Sequence, residues 1–198
     1  MAPPVPKVTL REYLAGEEAS DRKHEFFGGE VFEMEAASVN HSRIAGNLYV
    51  HLRTALHGSG CEALITPRTA TAENGLYTYP DLIVVCGKVQ VSPANPDTVT
   101  NPRLIIEVLS PSTEGYDRGK KFDLYRQLPS FVEYLTVAQE APWVLHHILD
   151  ENGEWRLRPV TGMEAALRLV SIPVEMPLRA VYESVDFASS KSRDPKVA

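Results

Sequence analysis

The sequence has little of several features that mark whole classes of protein. Its 198 residues include only two cysteines, and no apolar run approaches the roughly 20 residues that a membrane-spanning helix needs. The N-terminus lacks the apolar core of a signal peptide, so we expect a cytoplasmic protein that has no membrane partner. Cys61 and Cys86 stand in apolar, strand-like segments, a context that favours buried thiols over a disulfide or a zinc site.

Positive charge is also scarce, because 20 Lys and Arg residues face 26 Asp and Glu residues, for a net charge of −6. This balance disfavours broad, charge-driven binding of nucleic acid, although a local basic groove around an acidic metal site remains compatible with it. The hydrophobic content of 43% is ordinary for a globular chain. The length predicts one domain, which we place at residues 8–187 between flexible termini at 1–7 and 188–198.

The order of predicted helices and strands indicates a mixed α/β fold. A capping box at Thr9 predicts a short first helix to about Ala15, Ser38 begins a second helix that ends at Gly58, and a third covers 116–127. Predicted strands cover 24–34 (a hairpin around Gly28), 61–72, 79–86, 103–109, 131–137, 143–149 and 155–160. Residues 87–102 are polar and rich in proline, which predicts a loop.

The chemistry of the chain begins with Glu107, an acid in the middle of the apolar run 103–109. An ionised carboxylate inside a covered strand is costly unless a partner or a metal ion compensates it. Asp81 opens a second apolar run at 79–86. Carboxylates are hard ligands, so we predict that Asp81 and Glu107 hold one Mg²⁺ (or Mn²⁺) with positions left for water and a phosphate. The alternative is that Asp81 is a turn residue and Glu107 pairs with a buried arginine.

The helix that follows Glu107 carries Asp117, Lys121 and Tyr125, spaced four residues apart on one face. If this helix packs back on the strand, Lys121 can reach the two acids. Its ammonium would then orient the attacking water or stabilise charge that develops on the phosphate. The alternative is an ordinary surface pair between Asp117 and Lys121.

These segments together resemble the Uma2 family, also called DUF820, of the PD-(D/E)xK nuclease superfamily. The resemblance is carried by YPDLIVV at 79–85, IIEVLSPST at 105–113 and DRGKKFDLY at 117–125, and it extends to EFFGGEVFEM at 25–34, Asn40-His41 and PSFVEY at 129–134. It implies a restriction-endonuclease-like core in which helices flank a mixed β-sheet. The acids Asp81 and Glu107 correspond to the metal-bound acids of that core.

The resemblance also implies where the remaining catalytic residues lie. The superfamily usually has its lysine two residues after the second acid, where this chain has Leu109. The Uma2 pattern moves the lysine to the next helix, at Lys121, with Lys120 as the competing candidate. Glu25 is the predicted further catalytic acid, and its alternative role is that of a solvent-facing strand residue.

Other positions have weaker roles in this resemblance. His41, Asp117 and Tyr125 are expected to line the site, whereas Glu30 is expected to be exposed. Tyr134 is followed by LTVAQ, where the family often has a tryptophan and a later aspartate. We expect this difference to change packing beyond the site and not the chemistry. The histidines other than His41 lack metal-ligand spacing and are expected to be structural.

Two functional hypotheses follow. The first is a metal-dependent endonuclease that hydrolyses DNA phosphodiester bonds and works as a homodimer paired through edge strands of the C-terminal hairpin. Candidate contacts to the DNA backbone are Arg43, Arg68, Arg118 and Lys120. The second is a catalytically silent, nuclease-like scaffold that binds nucleic acid or a protein. A sugar- or nucleotide-phosphate hydrolase ranks last, because the sequence has no glycine-rich phosphate loop.

Overall fold

A computed structural model describes residues 7–71 and 75–187 of the chain. Its helices are α1 (Leu10–Ala19), α2 (Val39–Ala55), α3 (Glu114–Tyr116), α4 (Phe122–Tyr125) and α5 (Leu178–Val181), and a π-helical segment (Asp117–Lys121) joins α3 to α4. The predicted flexible termini fall almost wholly on residues 1–6 and 188–198, which lie outside the described residues. The extent of the predicted single domain stays a prediction.

The strands form two six-stranded sheets and one small hairpin. Their bounds are β1 (His24–Phe27), β2 (Glu30–Glu33), β3 (Cys61–Ile65), β4 (Arg68–Ala70), β5 (Tyr77–Thr78), β6 (Leu82–Cys86), β7 (Val91–Ser92), β8 (Asn95–Val99), β9 (Leu104–Val108), β10 (Glu133–Val137), β11 (Trp143–Leu149), β12 (Trp155–Thr161), β13 (Ala166–Arg168) and β14 (Glu175–Pro177). The first sheet has the order β2-β1-β5-β4-β8-β7 and the second β12-β11-β10-β9-β6-β3. Both sheets are mixed, because β4 runs parallel to β8 and β9 runs parallel to β10. The predicted fold class is therefore confirmed.

The strand β9 is covered on both faces, as its unbroken apolar run predicts. Leu104, Ile106 and Val108 face the core that contains the buried side of α2. Ile105 faces the opposite way, into a second core with Leu124 and Tyr125. Because side chains alternate along a strand, Glu107 points to the same side as Ile105, toward the helix that follows it in sequence.

The two long helices begin where their caps predict. The Thr9 side chain accepts from the Glu12 backbone N–H and Glu12 reaches back to Thr9, which completes the capping box of α1. The helix continues to Ala19, beyond the predicted end. Ser38 accepts from the N–H of His41 at the start of α2, and this cap fixes His41 in the first helical turn.

Three parts of the secondary structure differ from the sequence-based prediction. The predicted loop at 87–102 contains β7 and β8, which pair with each other and extend the first sheet. The region after Thr161 contains β13, β14 and α5, which strand and helix periodicity did not indicate. The predicted helix at 116–127 begins at Glu114 and takes π-helical geometry over Asp117–Lys121.

The interpretation of Cys61 and Cys86 as buried thiols is wrong, because these residues form a disulfide bond. They lie directly opposite each other on the antiparallel strands β3 and β6. The Gly87 N–H donates to the Gly60 carbonyl, which makes the cysteines a pair without mutual backbone hydrogen bonds. Such pairs bring the two backbones closest together, and this closeness suits a cross-strand disulfide.

None of the helices in residues 7–71 and 75–187 has the length and apolar content required to cross a bilayer. The cytoplasmic location expected from the sequence stays a prediction.

Candidate active site

A groove of about 1820 Å³ opens between the β1–β2 hairpin, the start of α2 and the α3–α4 helical region. It contains Glu25, His41, Asp81, Glu107, Asp117 and Lys121, which are six of the seven predicted site residues. Tyr125, the seventh, lies fully buried behind them. The fold therefore brings residues from five separate parts of the sequence to one place.

At the centre of the groove, the Lys121 ammonium lies among three carboxylates. Its Nζ is 2.7 Å from Glu25 Oε1, 3.0 Å from Glu107 Oε1 and 3.4 Å from Asp117 Oδ1. Lys121 is 4% exposed. Burial alone would lower the pKa of Lys121, but the surrounding carboxylates raise it well above its ordinary value, so the lysine is charged at neutral pH.

The carboxyl group of Glu107 is the least compensated acid in this cluster. The hydroxyl of Tyr125 donates to Glu107 Oε1 over 2.8 Å, which accounts for the buried position of that tyrosine. Burial raises the pKa of Glu107 to about 8, and the nearby Asp117 and Asp81 contribute to the rise, although Lys121 opposes it. The anionic form of Glu107 therefore gains from any further positive charge that reaches it.

Asp81 lies next to Glu107 at the start of β6 and is held by two donors. The backbone N–H of Val108 donates to Asp81 Oδ2 over 2.7 Å, and His41 Nε2 lies 3.1 Å from the same oxygen. Burial alone would lower the pKa of His41, but the hydrogen bond and the charge of Asp81 raise it. Asp81, directly before β6, and Glu107 on β9 line the same groove, as the metal-site hypothesis requires.

The π-helical segment distinguishes the two candidate lysines. Asp117 and Lys121, at its two ends, are both 4% exposed and face the acids. Lys120 is exposed, and its Nζ lies 4.5 Å from the centre of the Phe27 ring at the groove wall. Departures to π-helical geometry occur frequently at functional sites. The geometry thus favours Lys121 as the central lysine and gives Lys120 a place at the entrance.

Glu25 is 8% exposed and is therefore not the solvent-facing strand residue that the alternative describes. Besides its ion pair with Lys121, it accepts a short hydrogen bond from the Thr78 hydroxyl on the neighbouring strand β5. Glu30, across the hairpin, is exposed as expected.

Only two of the four predicted DNA-backbone contacts line the groove, namely Arg43 and Lys120. Arg118 pairs with Glu114, and the Arg68 side chain donates to the Tyr79 hydroxyl over 2.8 Å. Among the described residues that line the groove, nine are acidic and five are basic. The local basic groove that the net charge left open is therefore not found among the described residues that line this groove.

Sequence reasoning missed two residues that line the groove, Gln139 and Tyr79. Gln139 lines it, contacts the Ser38 side chain and donates to the Leu109 carbonyl, although we expected this segment to lie beyond the site. Tyr79 lines it as well, and its hydroxyl donates to the buried Glu17 over 2.9 Å. Tyr79 stands two residues before Asp81, and alternate residues of an extended chain point to the same side. This spacing could have indicated that Tyr79 lines the groove.

The donor set fits a hard divalent cation. Within the described residues, the hydrogen bonds and ion pairs of Glu107 fall on Oε1 and those of Asp81 on Oδ2, so one oxygen of each acid remains for a cation. The described residues contain no group of three or more His, Cys, Asp or Glu side chains arranged to hold a metal ion. Two carboxylates are enough for Mg²⁺, which usually keeps several waters.

Comparison with known proteins shows the family of the chain. The family model described as "Uma2: Putative restriction endonuclease" matches residues 10–179. The chain belongs to the Uma2 family. Two relatives in Synechocystis are "Uncharacterized protein slr1290", 33% identical over 93% of this chain and 96% of its own length, and "Uncharacterized protein sll1609", 35% identical over 81% of this chain and 91% of its own.

A solved structure supports the same fold for this Uma2 chain. It is described as a "putative nuclease belonging to DUF820 from Anabaena variabilis", and it matches with a TM-score of 0.73 at 14% identity, over 88% of this chain and 97% of that one. At this identity the likeness shows the fold alone. The restriction-endonuclease-like core predicted from the sequence is therefore confirmed.

Proposed function

We propose that the chain is a metal-dependent endonuclease that hydrolyses DNA phosphodiester bonds. The observation that carries this proposal is the pair Asp81 and Glu107, two acids on neighbouring strands that share one groove with a buried lysine. Asp81 and Glu107 would hold Mg²⁺ or Mn²⁺. When bound, that ion would polarise the phosphoryl oxygen and lower the pKa of a bound water.

The chain's own residues then have separate tasks. Lys121 holds a fixed positive charge beside Glu107, where it can stabilise the negative charge that grows on the phosphate. Glu25 and Asp117 keep that ammonium in place through their ion pairs. His41 helps to orient the carboxylate of Asp81, because its Nε2 contacts the oxygen Oδ2.

A specific observation also favours the second hypothesis, a catalytically silent scaffold. Lys121 lies within 3.4 Å of three carboxylates, so an ammonium already compensates part of the charge that a metal would neutralise. Titration with Mn²⁺ distinguishes the two. The nuclease should bind Mn²⁺ and lose this binding in Asp81→Asn, whereas a silent scaffold should not bind the ion at this pair.

The decisive experiment is cleavage of supercoiled plasmid with and without Mg²⁺. We expect cleavage that needs the ion and falls at least about a hundredfold in both Asp81→Asn and Glu107→Gln, because each substitution removes a charged group from the reacting centre. Asp123→Asn is a matched control, since that acid is exposed on the same helical region and pairs only with Arg126 in the described structure. Cleavage that survives both site substitutions would contradict the proposal.

We also propose a homodimer, as the two-fold symmetry of duplex DNA favours. β12 lies at an edge of the second sheet, as the proposed pairing surface requires. It carries Pro159, which lacks a backbone donor, and the exposed Arg156 and Arg158. These residues are typical of an edge strand that resists pairing, which argues against a dimer formed through β12. Sedimentation of the intact chain measures whether a homodimer forms.

A further inference from the structure

One face of the β1–β2 hairpin carries both an acid of the central cluster and two aromatic rings. Glu25 lies directly opposite Phe32, and Phe27 lies directly opposite Glu30. Directly opposed side chains of antiparallel strands stand on the same face of the sheet. Since Glu25 reaches Lys121 on this face, the rings of Phe27 and Phe32 stand beside the cluster, and both line the groove.

The position of Phe32 is not explained by core packing. Phe32 is 49% exposed, whereas Phe26, on the opposite face of the hairpin, is buried and stacks on Tyr13. Several large hydrophobic side chains are exposed in the described part of the chain, and Phe32 is the one aromatic residue among them. Phe27 is half-buried, and the Lys120 ammonium lies over its ring at the groove wall. The mouth of the groove thus offers water-exposed ring surface next to a lysine.

The charge of the groove restricts what such a surface can bind. A protein that holds duplex DNA mainly through its phosphates needs an excess of basic side chains, but here nine acidic side chains face five basic ones among the described residues. Stacking on aromatic rings supplies affinity that does not depend on an excess of positive charge. The bases of an intact duplex are stacked on each other and present no face to a ring, whereas unpaired bases do.

We infer that the DNA taken by this site is single-stranded or locally unpaired, with an unpaired base stacked on Phe32 and the adjoining phosphate near Lys120. This inference rests on the proposed function, because it names the substrate class of the same groove. Phe32 is then a residue that determines specificity. Its ring fixes the strand, and the acids and Lys121 act on a phosphate beside it.

Binding without cleavage tests the inference. The full-length chain in EDTA is titrated into a fluorescein-labelled 12-nucleotide DNA strand and, separately, into the matching duplex, with fluorescence anisotropy as the readout. We expect tighter binding to the single strand. Phe32→Ala should weaken it by roughly 5- to 150-fold, which corresponds to the loss of one stacked base, and Phe32→Trp should restore it. Val31→Ala is the matched control, because Val31 is 40% exposed on the other face of the same strand.

Several outcomes would overturn the inference. They are equal or tighter binding of the duplex, unchanged binding in Phe32→Ala, or a self-association of the chain that Phe32→Ala abolishes, which would make the ring part of an interface between copies.

Failure of the inference and failure of the proposed function are distinguishable. Metal-dependent cleavage of duplex plasmid that is insensitive to Phe32→Ala would reject the substrate class and keep the nuclease. Phe32-dependent binding of the single strand, with no cleavage of any DNA in Mg²⁺, would support the binding mode and reject the nuclease.

Discussion

Two buried glutamates lie on neighbouring strands of the second sheet and differ in how their charge is compensated. Glu133 on β10 is fully buried, and it accepts from His146 Nε2 over 2.6 Å, from the Val170 N–H over 2.8 Å and from the Ser171 N–H over 3.0 Å. Glu107 on β9 has an ammonium and a tyrosine hydroxyl on one of its two oxygens. The two side chains leave the sheet on opposite faces.

The pKa values of the two acids move in opposite directions. Burial alone would raise the pKa of Glu133, but its hydrogen bonds with His146, Ser171 and the backbone outweigh this effect and lower it. Burial raises the pKa of Glu107 to about 8, because its partners do not outweigh the desolvation of the charge and the repulsion from other acids. A fully paired buried acid stabilises the fold, whereas an incompletely paired acid facing a groove retains the capacity to bind a cation.

The largest effect should come from removing the charge at the centre of the cluster. Lys121→Met leaves Glu25, Glu107 and Asp117 without their shared ammonium, so we expect a loss of about 3–5 kcal/mol in the free energy of unfolding. We also expect cleavage to be lost. The measurement is urea denaturation followed by circular dichroism at pH 7.

Lys120→Met is the matched control for that experiment. Because Lys120 is exposed, its substitution should change the unfolding free energy by less than about 0.5 kcal/mol. Equal effects of the two substitutions would mean that Lys121 is not the central lysine.

The second prediction compares a substitution at each of the two glutamates, one expected to reduce stability and the other expected to reduce cleavage. Glu133→Ala leaves the donors of Val170 and Ser171 and the ring of His146 without their acceptor, so we expect it to cost about 3 kcal/mol or more. Its cleavage rate per folded molecule should be unchanged. Glu107→Gln should cost less than about 1 kcal/mol, since the amide resembles the protonated carboxyl that a pKa of about 8 favours at pH 7, while cleavage is lost.

Denaturation curves, combined with cleavage assays on the folded fraction, test this difference between the two substitutions. The contrast between the two acids would be lost if Glu133→Ala reduced cleavage as strongly as Glu107→Gln does.

The last prediction is a gradual dependence of stability on pH, without loss of the fold. Glu107 has a pKa of about 8 in the folded chain against an ordinary value of 4.5, so the folded state binds more protons between these two values. Its contribution to stability is therefore present near pH 5 and is lost as pH rises toward 8. Glu133, whose pKa is lowered, acts in the opposite sense and loses stability only as the solution becomes acidic.

Denaturation midpoints at pH 5, 6, 7 and 8 measure this dependence. Glu107→Gln should flatten the profile, and saturating Mg²⁺ should do the same in the unaltered chain, because the cation would replace the proton. A profile unaffected by either change would show that Glu107 titrates normally.

Local chemistry made part of the site predictable. An acid within an apolar run is rare enough that Glu107 alone indicated a special environment, and the four-residue spacing placed Asp117 and Lys121 on one face. The resemblance to Uma2 added Glu25 and His41, which no local pattern would have connected to the acids. The predicted strands β9, β10, β11 and β12 were correct because each has the strand periodicity or the hairpin turn that its sequence shows.

Features that depend on partners distant in sequence could not be predicted. Cys61 and Cys86 are opposed only because β3 and β6 pair in one particular register. The strands β7 and β8 were missed because their proline-containing sequence has no local strand signal and gains its pairing from β4. The acidic excess of the groove likewise arises from residues spread from Asp21 to Asp186, which the net charge alone does not locate.

The bond between Cys61 and Cys86 turns the intervening segment into a covalent ring, and Asp81 is a member of that ring. A protease that cuts the backbone once between these cysteines would therefore release neither piece. The nicked chain would migrate as one band on a gel until a reducing agent is added, and then as two. If the cut lies between Cys61 and Asp81, Asp81 and Glu107 end on the same fragment, while Glu25 and His41 leave with the other.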